Sequence, residues 1–352
     1  MNPRVLLLAA ALLAGCATPK PAAPQTGPRA LTVMVHDSFA LSEPVLKSFE
    51  TTYNVKLTIL KSGDAGAALN KAILSANAPI ADVFYGVDNT FLSRALKAGI
   101  FEPYASPALA NIPDRFKLDS ANRVLPVDYA YVSLNVEKDL MSSQGILPAQ
   151  SLKDLTRAQW QDNVVVENAA TSSTGLAFLL TTIAAFPEGS AYPWQQFWRD
   201  MVENKVHVSP DWNDAYYNQF IGTTGVPVRA SAVSYATSPA AEVFYSEGKK
   251  IKPSTASVDI GAFEQIEFVG VLKGAKSPEL ARAFVDFLLS PATQADIPTQ
   301  MWVYPVLNNT PLPDVFKQFA PLPTRIYSVA PDQIDAHREA WIKEWSAIVA
   351  AK

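Results

Sequence analysis

Apolar residues cluster at 31–35 (LTVMV), 55–60 and 81–85, and each cluster is followed, after a few polar or glycine positions, by a run with apolar residues three or four apart. A short apolar run bounded by turn residues is the pattern of a buried strand, and the longer spacing is that of a helix packed on one face. The pattern predicts strands at 31–35, 55–60 and 81–85, with helices at 43–53, 67–77 and 91–98. It restarts with strands at 164–166, 206–208 and 232–235 and helices over 176–186 and 240–246. Two long β-rich runs, 124–136 (VLPVDYAYVSLNV) and 265–272 (QIEFVGVL), lie between and beyond these blocks. The alternation implies right-handed βαβ units. The predicted fold is therefore α/β and two-lobed, each lobe a mostly parallel sheet flanked by helices, hinged by two crossover strands. Ligands of such sheets sit beyond the carboxyl ends of the strands, which makes the residues after each strand the ones to inspect.

The first thirty residues follow another pattern. Arg4 precedes an eleven-residue apolar run, 5–15, that ends Leu13-Ala14-Gly15-Cys16. A membrane span needs about 20 apolar residues, so the run reads as a secretory signal peptide. Leu-Ala-Gly-Cys resembles a bacterial lipobox, which implies cleavage before Cys16 and lipidation of its thiol. The expected organisation is a signal peptide at 1–15 and a lipidated cysteine with a Pro/Ala-rich flexible tether at 16–30. One lobe is expected at 31–126 plus 262–352, and the other at 127–261. Such a protein works in the periplasm or at the cell surface, anchored to a membrane.

The chain of 352 residues carries 29 Lys and Arg against 33 Asp and Glu, a formal net charge of −4. That balance cannot neutralise phosphate backbones, which argues against a nucleic-acid partner. One cysteine and three histidines exclude a disulfide framework and argue against a protein-built metal site. No Gly-x-Ser-x-Gly elbow, phosphate-binding Gly-x4-Gly-Lys-Ser/Thr loop or His-Glu-x-x-His pair is present, and no enzyme or resident cofactor is expected.

Several strand-end loops place small or hydroxyl residues at a helix start: Asp64-Ala65, Ser172-Ser173, and Tyr235-Ala236-Thr237-Ser238, with Ser238 as N-cap and Pro239 at the first helical position. Helix starts carry free N–H groups and a positive dipole end, suited to capping or to an anion. Trp212 and Trp302 lie in turn-rich segments, where an indole packs on a neighbouring domain or on a flat or cationic ligand. Trp341 and Trp345, four apart in the last helix, are expected in the core. His36 and Asp37 end the first strand and face the cleft. Asp37, Asp64, Asp88 and Asp128 near strand ends read as caps and turn residues, one or two of them able to accept from a ligand amine.

These loops, in order, carry a resemblance. Asp37-Ser38-Phe39, Gly86-Val87-Asp88-Asn89, Asp128-Tyr129, Thr171-Ser172-Ser173-Thr174-Gly175, Trp212, Ser234-Tyr235-Ala236-Thr237-Ser238-Pro239, Ile297-Pro298-Thr299 and Tyr304-Pro305-Val306 resemble the bacterial periplasmic thiamine-binding proteins, substrate-binding subunits of thiamine ABC importers. The likeness runs over about residues 31–346. It implies a type II periplasmic-binding fold, monomeric, that closes on thiamine or its mono- or diphosphate and hands it to an ABC permease with its ATPase. It assigns ligand contacts to Asp64, Ala65, Ser172, Ser173, Trp212, Tyr235, Ala236, Thr237 and Ser238, with Trp302 as a stacking face. It also shows departures: His36 stands for a family tyrosine, Ala65 for a glycine and Thr174 for a proline. Related proteins of this fold carry ferric ion or other small solutes such as phosphonates and polyamines, and Tyr216-Tyr217 is the kind of pair a ferric site uses.

Overall fold

The computed structural model describes residues 27–351; the signal peptide and Cys16 lie outside the described residues. The chain runs through β1 (Arg29–Val35), α1 (Glu43–Tyr53), β2 (Val55–Lys61), α2 (Ala65–Leu74), β3 (Val83–Asp88), α3 (Leu92–Ala98), β4 (Phe101–Glu102) and β5 (Leu125–Glu137). It continues with α4 (Lys138–Ser143), β6 (Val164–Glu167), α5 (Ser173–Ala185), α6 (Trp194–Glu203), β7 (His207–Ser209), a π-helical stretch Asp214–Phe220, β8 (Ser231–Tyr235) and α7 (Ser238–Tyr245). It closes with β9 (Thr255–Leu272), α8 (Pro278–Leu288), α9 (Pro291–Gln300), β10 (Tyr304–Pro305), α10 (Asp314–Phe319), β11 (Ile326–Tyr327) and α11 (Pro331–Ala350).

The main sheet order is β2-β1-β3-β9-β5-β8-β6-β7. β1 is parallel to β2 and β3, and β6 is parallel to β7 and β8. The antiparallel strands β9 and β5 lie between these two parallel groups. They pair from Leu125 opposite Val269 to Glu137 opposite Thr255, with register breaks at Pro126/Asp128 and Val132/Leu134. Irregularities of this kind bend and twist a strand pair, and here they let the two strands pass from one lobe into the other. β9 begins ten residues before the predicted run.

One boundary differs from expectation. Arg29 and Ala30 pair with Val55 and Lys56 in β1, so this strand starts at 29 and not 31. At the other end, the start of α11 packs on lobe 1, with Arg338 over the Phe91 ring at 4.5 Å and Lys97 bonded to Asp335. Its end lies on lobe 2, where Trp345 meets Trp198 of α6 edge-to-face at 5.6 Å. The apolar stripe of this helix thus finds its cover on α6, so α11 bridges from lobe 1 onto lobe 2. Trp345 is fully buried, whereas Trp341 is half-buried and packs beside His337.

Candidate functional site

The carboxyl ends of the strands converge on a cavity of about 520 Å³ between the lobes, within the range of small-ligand pockets. One wall is aromatic and comes from lobe 2. Trp212 stacks on Tyr216 at 5.2 Å and 17°, with Tyr217 edge-on at 5.5 Å and Tyr235 tilted at 6.1 Å. The π-helical stretch brings Tyr216 and Tyr217 here, and the Trp212 Nε1–H donates to Ser234 Oγ at 3.0 Å, which fixes the indole plane.

Trp302 also lines the cavity, packed against Phe244 and Tyr245 of α7. Its backbone is left-handed, with φ of 59°, a conformation that costs a non-glycine residue about 1–3 kcal/mol. Packing and hydrogen bonds hold it there: the ring stacks on Phe316 at 5.5 Å and 16°, and Nε1–H donates to Tyr245 Oη at 3.0 Å. The Thr237 hydroxyl donates to the Trp302 carbonyl. Thr237 is therefore the residue before α7, and Ser238 is its first helical residue rather than the N-cap, its hydroxyl bonded to Ser234.

Below the aromatic walls lie His36 and Glu267. Glu267 Oε2 accepts from Tyr85 Oη at 2.7 Å and sits 3.5 Å from His36 Nε2. Tyr85 Oη is also 2.6 Å from Asp128 Oδ2. Burial, reinforced by the Glu267 charge, pushes the Asp128 carboxyl well above the carboxylate range. Burial acts the same way on Glu267, but His36 and the surrounding hydrogen bonds bring it below its ordinary value. Burial lowers the His36 imidazole; Glu267 first, then Asp64 and Asp37, more than offset this, and it ends above 6.5. At the far end Lys250 is bonded to Glu242, whose carboxyl also accepts from Ser254 and Thr255. Burial opposes these bonds, yet they hold Glu242 down to about 2. Lys250 is thus neutralised by its own partner.

His36, Trp212, Tyr235, Thr237, Ser238 and Trp302, all expected contacts, line the cavity. Asp37 and Asp64 line a small recess beside it with Asp211. Ala65, Ser172, Ser173 and Ala236 do not line the cavity; they are buried where the lobes and elements meet. The reason is a set of bonds across the cleft. Gly66 and Ala67 N–H donate to the Thr171 carbonyl at 3.0 and 3.3 Å, and Trp212 N–H donates to Asp64 Oδ2 at 3.2 Å. The starts of α2 and α5 therefore face each other. α5 reaches this position because Gly175 lets it approach β6: a Cβ there would stand 2.5 Å from the Glu167 carbonyl oxygen.

Tyr85, Glu267, Tyr216, Tyr217 and Tyr245 were not among the expected contacts. An acid within the otherwise apolar QIEFVGVL run was the available signal for Glu267. Asp88, by contrast, is a cap, its Oδ1 accepting from Thr90 N–H and Oγ–H and from Phe91 N–H. The Tyr216 phenol is pushed up by burial and its ring is committed to Trp212, which makes it a costly phenolate ligand. Among the described residues no group of three or more His, Cys, Asp or Glu is placed to hold a metal ion.

The sequence model of the family described as bacterial extracellular solute-binding protein matches residues 78–323. The thiamine-binding periplasmic protein of Escherichia coli is 32% identical, over 91% of this chain and 93% of that one. Its counterpart in Salmonella typhimurium is 31% identical, over 96% of this chain and 98% of that one. A solved periplasmic thiamin binding protein is 31% identical and superposes with a TM-score of 0.79, over 92% of this chain and 99% of that one. These relatives are binding proteins and not enzymes.

Proposed function

The chain belongs to the bacterial extracellular solute-binding proteins and, within them, to the thiamine-binding periplasmic proteins, and from that premise we propose that it captures thiamine between its lobes for delivery to an ABC permease with its ATPase. The observation that carries this reading is the cavity itself: the aromatic side chains of Trp212, Tyr235 and Trp302 line it together with a buried carboxylate, Glu267, and its one lysine is already paired. A thiazolium is a flat, permanent cation. Aromatic faces attract such a ring, and Glu267 supplies the opposite charge.

Phosphate esters of thiamine are part of the proposal through the helix starts alone, since Asp37, Asp64 and Asp211 line the recess without a Lys or Arg and favour the free cation. The facing starts of α2 and α5 lie beside the recess at Asp64, and helix starts favour anions. The Asp64 carboxylate now accepts the N–H groups of Ala65 and Trp212 at 2.7 and 3.2 Å, the kind of donors a phosphate oxygen would use after displacing it. The protein acts as a monomer, outside the cytoplasm, tethered through a lipidated Cys16; the support for the tether is the Leu-Ala-Gly-Cys sequence closing the apolar run.

Calorimetric titration with thiamine, after bound ligand has been stripped by unfolding and refolding, tests the reading. One-to-one binding with sub-micromolar Kd, about 8 kcal/mol or more, is the expected outcome. Absence of binding by refolded protein, with binding of ferric ion, a phosphonate or a polyamine instead, would overturn it.

A further inference from the structure

His36 ends β1 directly beneath the cavity. Its ring lies over Gly86, where an added Cβ would come 2.5 Å from His36 Cδ2, so a side chain at 86 would unseat the imidazole. Nε2 is buried without a well-formed hydrogen bond, and its counter-charge is Glu267 Oε2 at 3.5 Å. The two residues line the cavity together.

Proton counting defines the charge of this pair. Tyr85 has one phenolic proton, yet its oxygen lies at hydrogen-bond distance from both Asp128 Oδ2 and Glu267 Oε2. One phenol cannot donate to two carboxylates at once, so one of the two acids carries a proton. Asp128 is fully buried, and among the described residues only Glu267 and Tyr85 act on it. Glu267 has His36. The protonated acid is therefore Asp128, and Glu267 is the anion that faces the cavity.

The groups around His36 are acids or neutral donors on every side. Glu267 faces it from β9, Asp64 from the start of α2, and Asp37 from its own loop. Tyr85 lies at 5.5 Å from β3, and Asp211 lines the adjoining recess from lobe 2. Neither Lys nor Arg lines that recess, and Lys250 of the main cavity is taken by Glu242. Among the described residues the imidazolium of His36 is thus the one cation opposing Glu267. Two positive charges beside a single buried carboxylate repel strongly in a low-dielectric site.

We propose that His36 is a placeholder for the ligand's cation: when an organic cation settles beside Glu267, His36 gives up its proton to solvent, so that capture and proton release are coupled. This rests on the reading of the ligand as thiamine-like. The sign follows from linkage. A proton bound in the free protein and lost in the complex makes affinity rise with pH, by at most tenfold per pH unit, until His36 of the free protein is itself neutral.

The test is titration of thiamine into the protein at pH 7 in two buffers of very different ionisation enthalpy, repeated from pH 6 to 8. The difference in heat gives the number of protons released, expected to lie clearly above zero and at most one per ligand, with affinity rising with pH. His36→Tyr, whatever its affinity, is expected to give equal heats in the two buffers and no pH trend. His36→Gln serves the same purpose with a smaller side chain. Binding by the unsubstituted protein with equal heats overturns the proposal and leaves the thiamine reading standing. Proton release that persists in either variant also overturns it, since the proton then belongs elsewhere. No binding in any buffer overturns both.

Discussion

The main-chain N–H of Trp212 donates to Asp64 Oδ2 at 3.2 Å, and this bond ties the turn after β7 in one lobe to the N-cap of α2 in the other. It works alongside the bonds from Gly66 and Ala67 to Thr171, and that from Thr237 to Trp302. The bonds of Asp64, Gly66 and Ala67 to Trp212 and Thr171 cross the cleft, so the arrangement is a closed one. A ligand stabilises closure only through the difference in its affinity for the closed and open states, and the cross-cleft bonds set how much of that difference the protein supplies itself.

Asp64→Ala removes the cross-cleft acceptor and the side-chain cap of α2. A hydrogen bond to a charged group is worth about 1.5–3 kcal/mol, and each 1.4 kcal/mol is about tenfold in affinity. Thiamine affinity is expected to fall by roughly ten- to a hundredfold, mostly through faster release, measured by calorimetry and stopped-flow fluorescence. The lost cap adds about 1 kcal/mol of destabilisation, visible as a small drop in Tm. Asp64→Asn keeps one acceptor oxygen and should lose less on both counts.

Trp212→Ala takes away one aromatic face. A cation over an aromatic ring is worth about 0.5–2 kcal/mol, so affinity should fall by roughly 2- to 30-fold. The indole also stacks on Tyr216 and donates to Ser234, so the ligand-free protein should melt earlier too. Trp212→Phe retains a face and separates the two effects: calorimetry should find most of the affinity restored, and unchanged affinity in Trp212→Ala would remove the indole from the site.

Much of this architecture is legible in local pattern. The first helix falls at 43–53 as the spacing predicts, and the loops after β1, β2, β7 and β8 do meet at the cleft. What escapes local pattern is whatever depends on pairing distant segments. Asp128 and Glu267 look like unrelated acids until β5 and β9 pair and place them opposite one another. The first ten residues of β9, TASVDIGAFE, hide their strand character behind Asp259, Gly261 and Glu264. The Ser172-Ser173 start is legible as a strand-end loop, but only the three-dimensional contact of Thr171 with α2 reveals that closure covers it.

Cys16→Ser tests the tether independently of the cleft. The expected result is release of the protein from the membrane fraction into the soluble fraction, with thiamine affinity unchanged, because the first cleft residue, His36, is separated from the anchor by β1. Fractionation followed by immunoblotting reads the first outcome and calorimetry the second. Retention on the membrane would exclude Cys16 as the attachment point.

Buried acids give the ligand-free protein a distinctive pH profile. Burial, only partly offset by Thr90, pushes the Asp88 carboxyl from 3.8 up to about 6. The folded state therefore binds this proton more tightly than the unfolded chain, and stability falls as pH rises from about 4 to 6. At neutral pH the shift costs about 3 kcal/mol, at roughly 1.4 kcal/mol per pH unit. Asp128 and Glu167 are raised in the same sense, also by burial, and His36 stabilises only while protonated, a contribution lost as pH rises above 6.5 through its folded value. Glu242 has the opposite sign: held down to about 2, it contributes stability that disappears below about 4.5. Tm should accordingly rise on acidification from pH 7.5 to about 5.5 and decline again below 4.5. Asp88→Asn imitates the protonated acid, because Oδ1 makes the capping bonds and Oδ2 makes no well-formed hydrogen bond, with the Ser173 hydroxyl acting on the carboxylate only weakly. Scanning calorimetry should find this variant more stable than the unsubstituted protein at pH 7.5 and no different near pH 4. A variant less stable at both values would mean that the Asp88 charge, and not its oxygen acceptor, holds the β3–α3 turn.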